Sequence, residues 1–507
     1  MTKAADQNSC QTAESIGTRE SKTNVLVIDG LPNLNSTDAT ENGGNTTDME
    51  HSGHSDYPDL PKGGGLTSDE EYIRLNLLTH PWYHGVMFGK TTEKLLIWEN
   101  SYLIRRAVLK DRKFLCLSVY MNEKVFHLPL SWNIEGWVCR VLFEKFPAMP
   151  NKRYTHILDL LNAWSLSVNY IVPVPRDKTI LLHSSIQFGS VLGKGAFGEV
   201  FKGKYTPIGG SDPVEVAVKR MIGDPKREMI EDFINEASIM SLLDNRNVVT
   251  SYGFCSLQFP VMLVMELVPG GDLKKTSNIP NKQIILFALD ISKAMCHLAS
   301  KKVIHRDLAA RNCLITKDIR VKLSDFGLSV NDTETVVKNL RKAPIRWLSP
   351  ETLAKGLFNE KTDVWSYGVL ITELMTRCAA DPLAPRDLKE VQKWIKESDH
   401  PHRIDGGGPR ELIDIVDYCC EKSPSARPDF ETIRKKVHKL HQKFADIELA
   451  KNTRKREKTV ERKAKDKEKG GGKKGGPPIG ISSSRRKDQK AGLVVPLPAG
   501  MSTGNNK

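Results

Sequence analysis

Two short segments, HRDLAARN at residues 305–312 and DFG at residues 325–327, contain residue types that could carry out a reaction. Asp307 is a carboxylate that could accept a proton from a hydroxyl group. Asn312 and Asp325 lie five and eighteen residues after Asp307, and both offer the hard oxygen ligands that Mg²⁺ prefers. Together these groups indicate transfer of the γ-phosphoryl group of ATP to a hydroxyl group, with Asp307 as the base and magnesium on the other two residues.

A glycine-rich segment and a lysine precede these residues in the order that ATP binding requires. Gly198 is the third glycine of GKGAFGEV, and Lys219 of the strand pattern VAVK follows it by 21 residues. Glycine lets the backbone lie close to phosphates, so that its amides can donate to them. Lys219 would neutralise the α- and β-phosphates and pair with Glu236 on a predicted helix; the alternative is a surface ion pair between the two. The residues predicted to contact ATP are Leu192, Gly193, Lys194, Gly195, Ala196, Phe197, Gly198, Glu199, Val200, Ala217, Lys219, Met265, Glu266 and Val268.

The composition divides the 507 residues into two polar ends and a globular middle. Residues 1–75 are predicted to be disordered, and the first 60 hold 3 Lys/Arg against 10 Asp/Glu, a local charge of −7. Residues 446–507 form a basic, low-complexity tail that is partly helical at first and then disordered. Its residues 451–490 hold 16 Lys/Arg against 5 Asp/Glu, a local charge of +11.

The middle of the chain is predicted to have an α+β fold with two domains. Residues 80–172 combine strand-like alternation in KFLCLSVY and KVFHLPL with a helical spacing in YTHILDLL. A proline-spaced linker, residues 173–184, closes this small domain. Residues 185–445 begin with strand patterns and then become largely helical, which is the order expected of a two-lobed phosphotransferase domain.

Several features predict a cytoplasmic protein. The sequence has no run of 18 apolar residues, its first ten residues lack the apolar core of a signal peptide, and Thr2 stands where N-myristoylation needs glycine. The nine cysteines are scattered without a C-x-x-C pair, which suits a reducing compartment. The basic tail could attract anionic lipids at the inner face of the plasma membrane or serve as a solvated spacer. Nucleic acid is disfavoured as a partner because no aromatic residue interleaves residues 451–490.

The segment around Asp307 resembles the protein tyrosine kinases. Arg311 stands four residues after the base, whereas serine/threonine kinases usually have a lysine two residues after it. APIRWLSPE at residues 343–351 resembles the tyrosine-kinase segment in which Pro344 and Trp347 shape a platform for the substrate ring. The resemblance implies tyrosine-containing protein substrates, with Arg311 as the cation that neutralises charge during transfer.

The small domain resembles a Src homology 2 (SH2) domain. The resemblance implies that the guanidinium of Arg105 binds phosphotyrosine proteins through paired hydrogen bonds, with His127 and Lys90 beside the phosphate. The alternative is an arginine on a solvated strand face. The segments that carry the resemblance are WYHG at residues 82–85, YLIRR at 102–106 and FPAMP at 146–150.

The order of an SH2 domain followed by a kinase domain resembles the compact members of the Fes/Fer non-receptor tyrosine kinases. In that family the SH2 domain serves both targeting and activation. Two positions depart from the SH2 pattern: Gly89 stands where a second arginine is usual, and Arg106-Ala107 stands where Glu-Ser is frequent. The resemblance implies an active non-receptor tyrosine kinase, and the alternative is a weakly active or inactive scaffold that binds phosphotyrosine partners.

The activation segment, residues 329–342, contains no tyrosine. The kinase family normally phosphorylates a tyrosine there, and the phosphate orders the segment through basic partners. Asp332 and Glu334 already supply negative charge. We therefore predict that phosphorylation of a tyrosine in this segment does not switch the activity.

Overall fold

A computed structural model of the chain describes residues 68–469, apart from residues 110–111, 196–197, 211, 277–278, 341–342 and 405, and it describes no side chains in 68–69 and 463–469. The α+β prediction is confirmed: an SH2-like region precedes a two-lobed domain. Most of the predicted N-terminal segment, the end of the basic tail, and the predicted ATP contacts Ala196 and Phe197 lie outside the described residues.

The SH2-like domain is built on a sheet in which β2, β3 and β4 are antiparallel neighbours, with β1 and β7 each parallel to β2. The apolar spacing that predicted a helix is used by α4, where Ile157, Leu160, Leu161 and Trp164 are buried against the sheet. The elements are α1 (Ser68–Tyr72), β1 (Tyr83–Val86), α2 (Gly89–Leu95), β2 (Ser101–Leu109), β3 (Arg112–Met121), β4 (Lys124–Pro129), β5 (Ser131–Asn133), β6 (Gly136–Val138), α3 (Arg140–Lys145), α4 (Ile157–Val168) and β7 (Val172–Pro173).

The N-terminal boundary of this domain lies earlier than the sequence analysis placed it. Residues 68–75, assigned there to a disordered segment, are helical: α1 is followed by a π-helical turn, Ile73–Leu77. Ile73 and Leu77 are buried in the domain core, and the Tyr72 hydroxyl accepts a hydrogen bond from the Ile157 amide at 2.8 Å. Two buried side chains four residues apart are enough to dock a short helix whose average composition is polar.

The two-lobed domain begins with a five-stranded sheet in the order β11-β12-β10-β9-β8, which with one helix forms the small lobe. On β10, Val216 and Val218 point into the small-lobe core, so the alternate residues Ala217 and Lys219 face the opposite side. The small-lobe elements are β8 (Ile186–Gly195), β9 (Gly198–Tyr205), β10 (Val214–Arg220), α5 (Arg227–Ser241), β11 (Ser251–Cys255) and β12 (Met262–Glu266).

The large lobe is mainly helical and surrounds α6. Among the described helices, α6 alone is long and apolar enough to cross a bilayer, but 61% of its apolar window is buried inside the protein. The large-lobe elements are α6 (Asn281–Ser300), β13 (Val303–Ile304), β14 (Cys313–Ile315), β15 (Val321–Leu323), β16 (Val330–Asn331), β17 (Glu334–Val336), α7 (Pro350–Lys355), β18 (Leu357–Asn359), α8 (Glu360–Met375), α9 (Leu388–Glu397), α10 (Arg410–Cys419) and α11 (Phe430–Lys469).

The loop between β11 and β12 joins the two domains. The side chain of Leu257 is 0% exposed and belongs to the SH2-like core, while its carbonyl accepts a hydrogen bond from the Tyr83 hydroxyl at 2.8 Å. The amide of Val86 donates to the Ser256 carbonyl at 2.8 Å. A Cβ atom at Gly85, where φ is +67°, would lie 2.2 Å from the Ser256 carbonyl oxygen, so this contact requires glycine.

The linker is fixed to the first domain. The guanidinium of Arg176 donates hydrogen bonds to the carbonyls of Leu78, His80 and Tyr83 at 2.7 to 3.2 Å. His84 Nε2 hydrogen-bonds the Val174 carbonyl at 2.9 Å. The proline-spaced linker is therefore held against the SH2-like domain by these hydrogen bonds.

Candidate active site and phosphate pocket

The register of the small-lobe sheet gathers the predicted nucleotide contacts on one face. Lys219 pairs with Val200 of β9, and Ala217 pairs with Met265 of β12. Directly opposed residues on neighbouring strands share a face, so these side chains line the same side of the sheet as the Lys219 ammonium. Val268 follows in the loop after β12 and is half-buried.

Lys219 and Glu236 form a buried ion pair between β10 and α5. The Lys219 ammonium lies 2.7 Å from both carboxylate oxygens of Glu236, which is 3% exposed. Burial alone would lower the pKa of Lys219, but the carboxylates of Glu236 and Asp325 raise it, so the amine stays charged. Because Glu236 is buried, Lys219 and Glu236 do not form the surface ion pair that was the alternative interpretation.

The glycine-rich turn between β8 and β9 leaves room for a ligand. A Cβ atom at Gly193 would meet no protein atom within 4 Å, whereas one at Gly198 would lie 2.2 Å from the Arg220 carbonyl oxygen. Lys194 pairs with Glu199 across the turn at 2.8 Å. Leu192 and Gly195 are exposed on the same strand. At an open glycine such as Gly193 the backbone can approach the phosphates of a nucleotide closely.

Glu266 is turned away from a direct charge contact with a nucleotide. Its carboxylate accepts from the Lys322 ammonium at 2.7 Å and from the Thr250 amide at 3.2 Å. Glu266 is on β12 of the small lobe and Lys322 is on β15 of the large lobe, so the side chain of Glu266 links the two lobes.

Asp307 is positioned by Arg311 and Asn312, which follow it by four and five residues. Its carboxylate accepts hydrogen bonds from Arg311 and from Asn312 Nδ2, the latter at 2.8 Å. Burial raises the pKa of Asp307, and the cation of Arg311 opposes that rise. The guanidinium of Arg311 also stacks over the Trp347 ring at 4.5 Å, so base, cation and predicted substrate platform are adjacent.

Two buried carboxylates on α8 hold the catalytic loop. Asp363 accepts from the amides of His305 at 2.7 Å and Arg306 at 2.9 Å. Glu373, which the sequence analysis missed, accepts from the Ala310 amide at 3.0 Å and from the Trp347 indole at 2.9 Å. A carboxylate near the end of the otherwise apolar segment DVWSYGVLITEL was the available signal, because charged residues are rarely buried without a partner.

Asp325 and Asn312 fit a magnesium site between the nucleotide and the base. Asp325 is exposed, and its carboxylate lies 3.8 Å from the Lys219 ammonium. The Asn312 amide nitrogen is used by Asp307, which leaves the oxygen as the possible ligand atom. Magnesium commonly takes one or two protein oxygens together with phosphate oxygens, and it would neutralise charge on the transferred group.

The activation segment is ordered by strand pairing. Glu334, Thr335 and Val336 of β17 pair antiparallel with the residues of β18, and Asn359 Nδ2 donates to Glu334 at 3.4 Å. Within the described part of the segment, this pairing holds residues 334–336 against residues 357–359.

A second candidate site lies on the SH2-like sheet around Arg105, which is 5% exposed. Its Nε donates to the Ser118 hydroxyl at 3.0 Å, and its Nη1 donates to the Met87 carbonyl at 2.8 Å. His127 Nδ1 lies 3.0 Å from the same Ser118 hydroxyl. Arg105 is therefore not on a solvated strand face, and the structure brings it together with His127.

Ser118, Glu93 and Lys90 complete the surroundings of this pocket. Ser118 was missed from the sequence, although a polar residue at a buried position of the apolar strand KFLCLSVY was a usable signal. Glu93 of α2 lies 3.6 Å from His127 Nε2. Lys90 is exposed in the first turn of α2, outside the network around Arg105.

Arg106 points away from the pocket, as expected for the next residue of a strand. Its guanidinium pairs with Glu70 of α1 at 3.0 Å and lies 5.0 Å from the ring centroid of Phe259 in the β11–β12 loop. The departure from the usual Glu at this position thus contributes to the junction between the domains.

Comparison with known proteins identifies the family of the two-lobed domain. Residues 186–437 match the family of protein tyrosine and serine/threonine kinases. Fer-related kinase 1 of Caenorhabditis elegans is 30% identical over 382 residues, which cover 71% of this chain and 94% of that protein. Tyrosine-protein kinase Fer of Rattus norvegicus is 31% identical over 383 residues, covering 73% of this chain and 45% of that protein.

The transforming protein Fps of an avian sarcoma virus (strain PRCII) is 28% identical over 379 residues. The chain spans less than half the length of the mammalian Fer kinases that it matches. The fold, the buried Lys219–Glu236 pair and these matches show that the chain belongs to the protein tyrosine kinase family.

Proposed function

We propose that the protein is a non-receptor tyrosine kinase of the Fes/Fer type, which transfers the γ-phosphate of ATP to tyrosine in protein substrates with Mg²⁺ as cofactor. The ion pair between Lys219 and Glu236 carries this proposal, because it places α5 and β10 in the arrangement that phosphoryl transfer needs. Asp307, Asn312 and Asp325 stand on the other side of the cleft with carboxylate and amide oxygens available.

The position of Arg311 supports tyrosine as the acceptor. Its guanidinium contacts the carboxylate of Asp307 and stacks on Trp347, so it can neutralise charge next to an aromatic substrate ring. A lysine two residues after the base, the usual serine/threonine arrangement, is absent: position 309 is alanine.

The test is phosphorylation of poly(Glu,Tyr) by the purified full chain with Mg·ATP, followed by phosphoamino-acid analysis. We expect phosphotyrosine from the wild type and a loss of at least about 100-fold in turnover for Asp307→Asn, since a positioned base contributes that much. Silence of the wild type, even after addition of a phosphotyrosine peptide, would instead support the scaffold.

We further propose that the SH2-like domain binds phosphotyrosine proteins and supports the active small lobe. Arg105 donates to the Met87 carbonyl, and the neighbouring Phe88 ring lies 5.5 Å from the guanidinium of Arg227 at the start of α5. Because α5 carries Glu236, occupation of the pocket has a short physical route to the active site. A phosphotyrosine peptide that raises kinase activity in the wild type but not in Arg105→Met would support this route, and equal activation of both would contradict it.

We place the protein in the cytoplasm, with the basic tail attracting it to anionic lipids of the plasma membrane. Six exposed cations lie in residues 451–462 of α11: Lys451, Arg454, Lys455, Arg456, Lys458 and Arg462. Each such residue near an anionic surface contributes about 1 kcal/mol. Truncation after Leu449 should release the protein from membranes in cell fractionation; an unchanged distribution would leave the tail as a spacer.

A further inference from the structure

The hydrogen bonds around Ser118 fix which nitrogen of His127 carries the proton. Arg105 Nε donates to the Ser118 oxygen, so the Ser118 hydroxyl is free to donate to His127 Nδ1 at 3.0 Å. The pKa of His127 is lowered to about 4 by burial and by the charge of Arg105, so the ring is neutral at pH 7. A neutral ring that accepts at Nδ1 has its hydrogen on Nε2, and this atom is buried with no hydrogen-bond partner among the described residues.

The unpartnered Nε2–H points at the helix that borders the pocket. A Cβ atom at Gly89 would lie 3.1 Å from His127 Nε2 and 3.9 Å from a carboxylate oxygen of Glu93. Gly89 and Glu93 are four residues apart on α2, so they lie on the same face of the helix. The Glu93 carboxylate is 3.6 Å from Nε2, which is too long for a hydrogen bond but close enough to act on it electrostatically.

The charges of the pocket nearly cancel. Arg105 supplies one positive charge, His127 supplies none, and Glu93 supplies one negative charge. Two of the five N–H donors of Arg105 are used by Ser118 and Met87, and the described hydrogen bonds use none from Nη2. A phosphate group could therefore receive hydrogen bonds from Arg105 Nη2, but it would be repelled by the Glu93 carboxylate beside His127.

We propose that Glu93 sets the affinity of this pocket by opposing the phosphate. The proposal rests on the function proposed above, in which Arg105 binds phosphotyrosine. Glycine at position 89 avoids a contact of 3.1 Å between a Cβ atom and His127 Nε2, and Glu93 places beside that nitrogen a charge of the same sign as the ligand. The pocket is built to hold phosphate weakly, so that side chains flanking the phosphotyrosine contribute a larger share of the binding.

The experiment titrates O-phospho-L-tyrosine into the full-length protein by calorimetry, with the Arg105-dependent part defined by subtracting the Arg105→Ala variant. We expect Glu93→Gln to tighten that part about tenfold at low salt, because it removes one like charge next to the ligand. Glu99→Gln is the matched control, since the Glu99 carboxylate accepts from the Asn122 amide instead of facing His127.

Tightening by Glu93→Gln but not by Glu99→Gln supports the proposal. Unchanged or weaker Arg105-dependent binding in Glu93→Gln overturns it while leaving phosphotyrosine binding intact. Absence of any Arg105-dependent binding, in the wild type and in Glu93→Gln, overturns both this proposal and the proposed ligand.

Discussion

The kinase cleft and the SH2-like pocket each hold a buried cation for phosphate, but they stabilise it differently. In the cleft, Lys219 is held by the carboxylate of Glu236 at 2.7 Å. In the pocket, Arg105 is held by a hydroxyl and a carbonyl, while Glu93 lies 3.6 Å from His127 Nε2. Lys219 is paired with a carboxylate before any ligand binds, whereas the described partners of Arg105 are neutral.

This difference determines what each residue contributes to stability. Removing one partner of a buried ion pair leaves the other charge buried alone, which is costly. Removing a buried cation that lacks an ionic partner also removes an unfavourable charge, so the losses of hydrogen bonds are partly offset. Removing the cation should therefore abolish activity in the cleft and ligand binding in the pocket. Only removal of the cation in the cleft should also lower the free energy of unfolding substantially.

Lys219→Met should produce the largest effect. We expect loss of at least about 100-fold in kinase activity, because the cation on the phosphates is gone, and a fall of about 3 kcal/mol in the free energy of unfolding. Urea denaturation and the poly(Glu,Tyr) assay measure the two quantities. Lys202→Met is the control, since its ion pair with Glu215 is exposed and its loss should leave both unchanged.

Arg105→Met should abolish phosphotyrosine binding while changing the free energy of unfolding by less than about 1 kcal/mol. The small change follows from the neutral partners of its guanidinium, Ser118 and Met87. A loss of stability as large as that of Lys219→Met would show that the pocket is compensated in the same way as the cleft.

Arg311→Ala should produce a smaller effect, seen as a shift in pH dependence. Asp307 must be deprotonated to act as a base, so activity falls as the pH falls through its pKa. Burial raises that pKa and Arg311 lowers it, so removal of Arg311 should move the acidic limb of the kcat/KM profile to higher pH. Arg311→Lys should restore part of the shift, and an unmoved limb would mean that another group titrates there.

The two sites also differ in how far the sequence predicted them. Asp307, Arg311 and Asn312 lie within six residues, so their linear spacing nearly determines their contacts. The pocket instead draws on α2, β2, β3 and β4, and Ser118 reaches Arg105 only through the pairing of β2 with β3. The register between two strands cannot be read from either strand alone, which explains why Ser118 was missed.

The expectation that no tyrosine in the activation segment switches the activity stays a prediction. The segment's lack of a tyrosine was visible in the sequence, but the pairing of β17 with β18 was not, because each strand has only three residues. Such short strands carry too little periodicity to be recognised.

Leu257 belongs to the kinase domain by sequence, but it is part of the core of the SH2-like domain in the structure. Its side chain fills the core of the SH2-like domain although it belongs to the chain of the small lobe. Burial of one leucine stabilises a core by about 2 kcal/mol, so cutting the protein between residues 173 and 184 would leave a hole in one fragment and an exposed apolar side chain on the other. The two parts are therefore not interchangeable modules, and in calorimetry they should melt as one cooperative unit, not as two independent transitions.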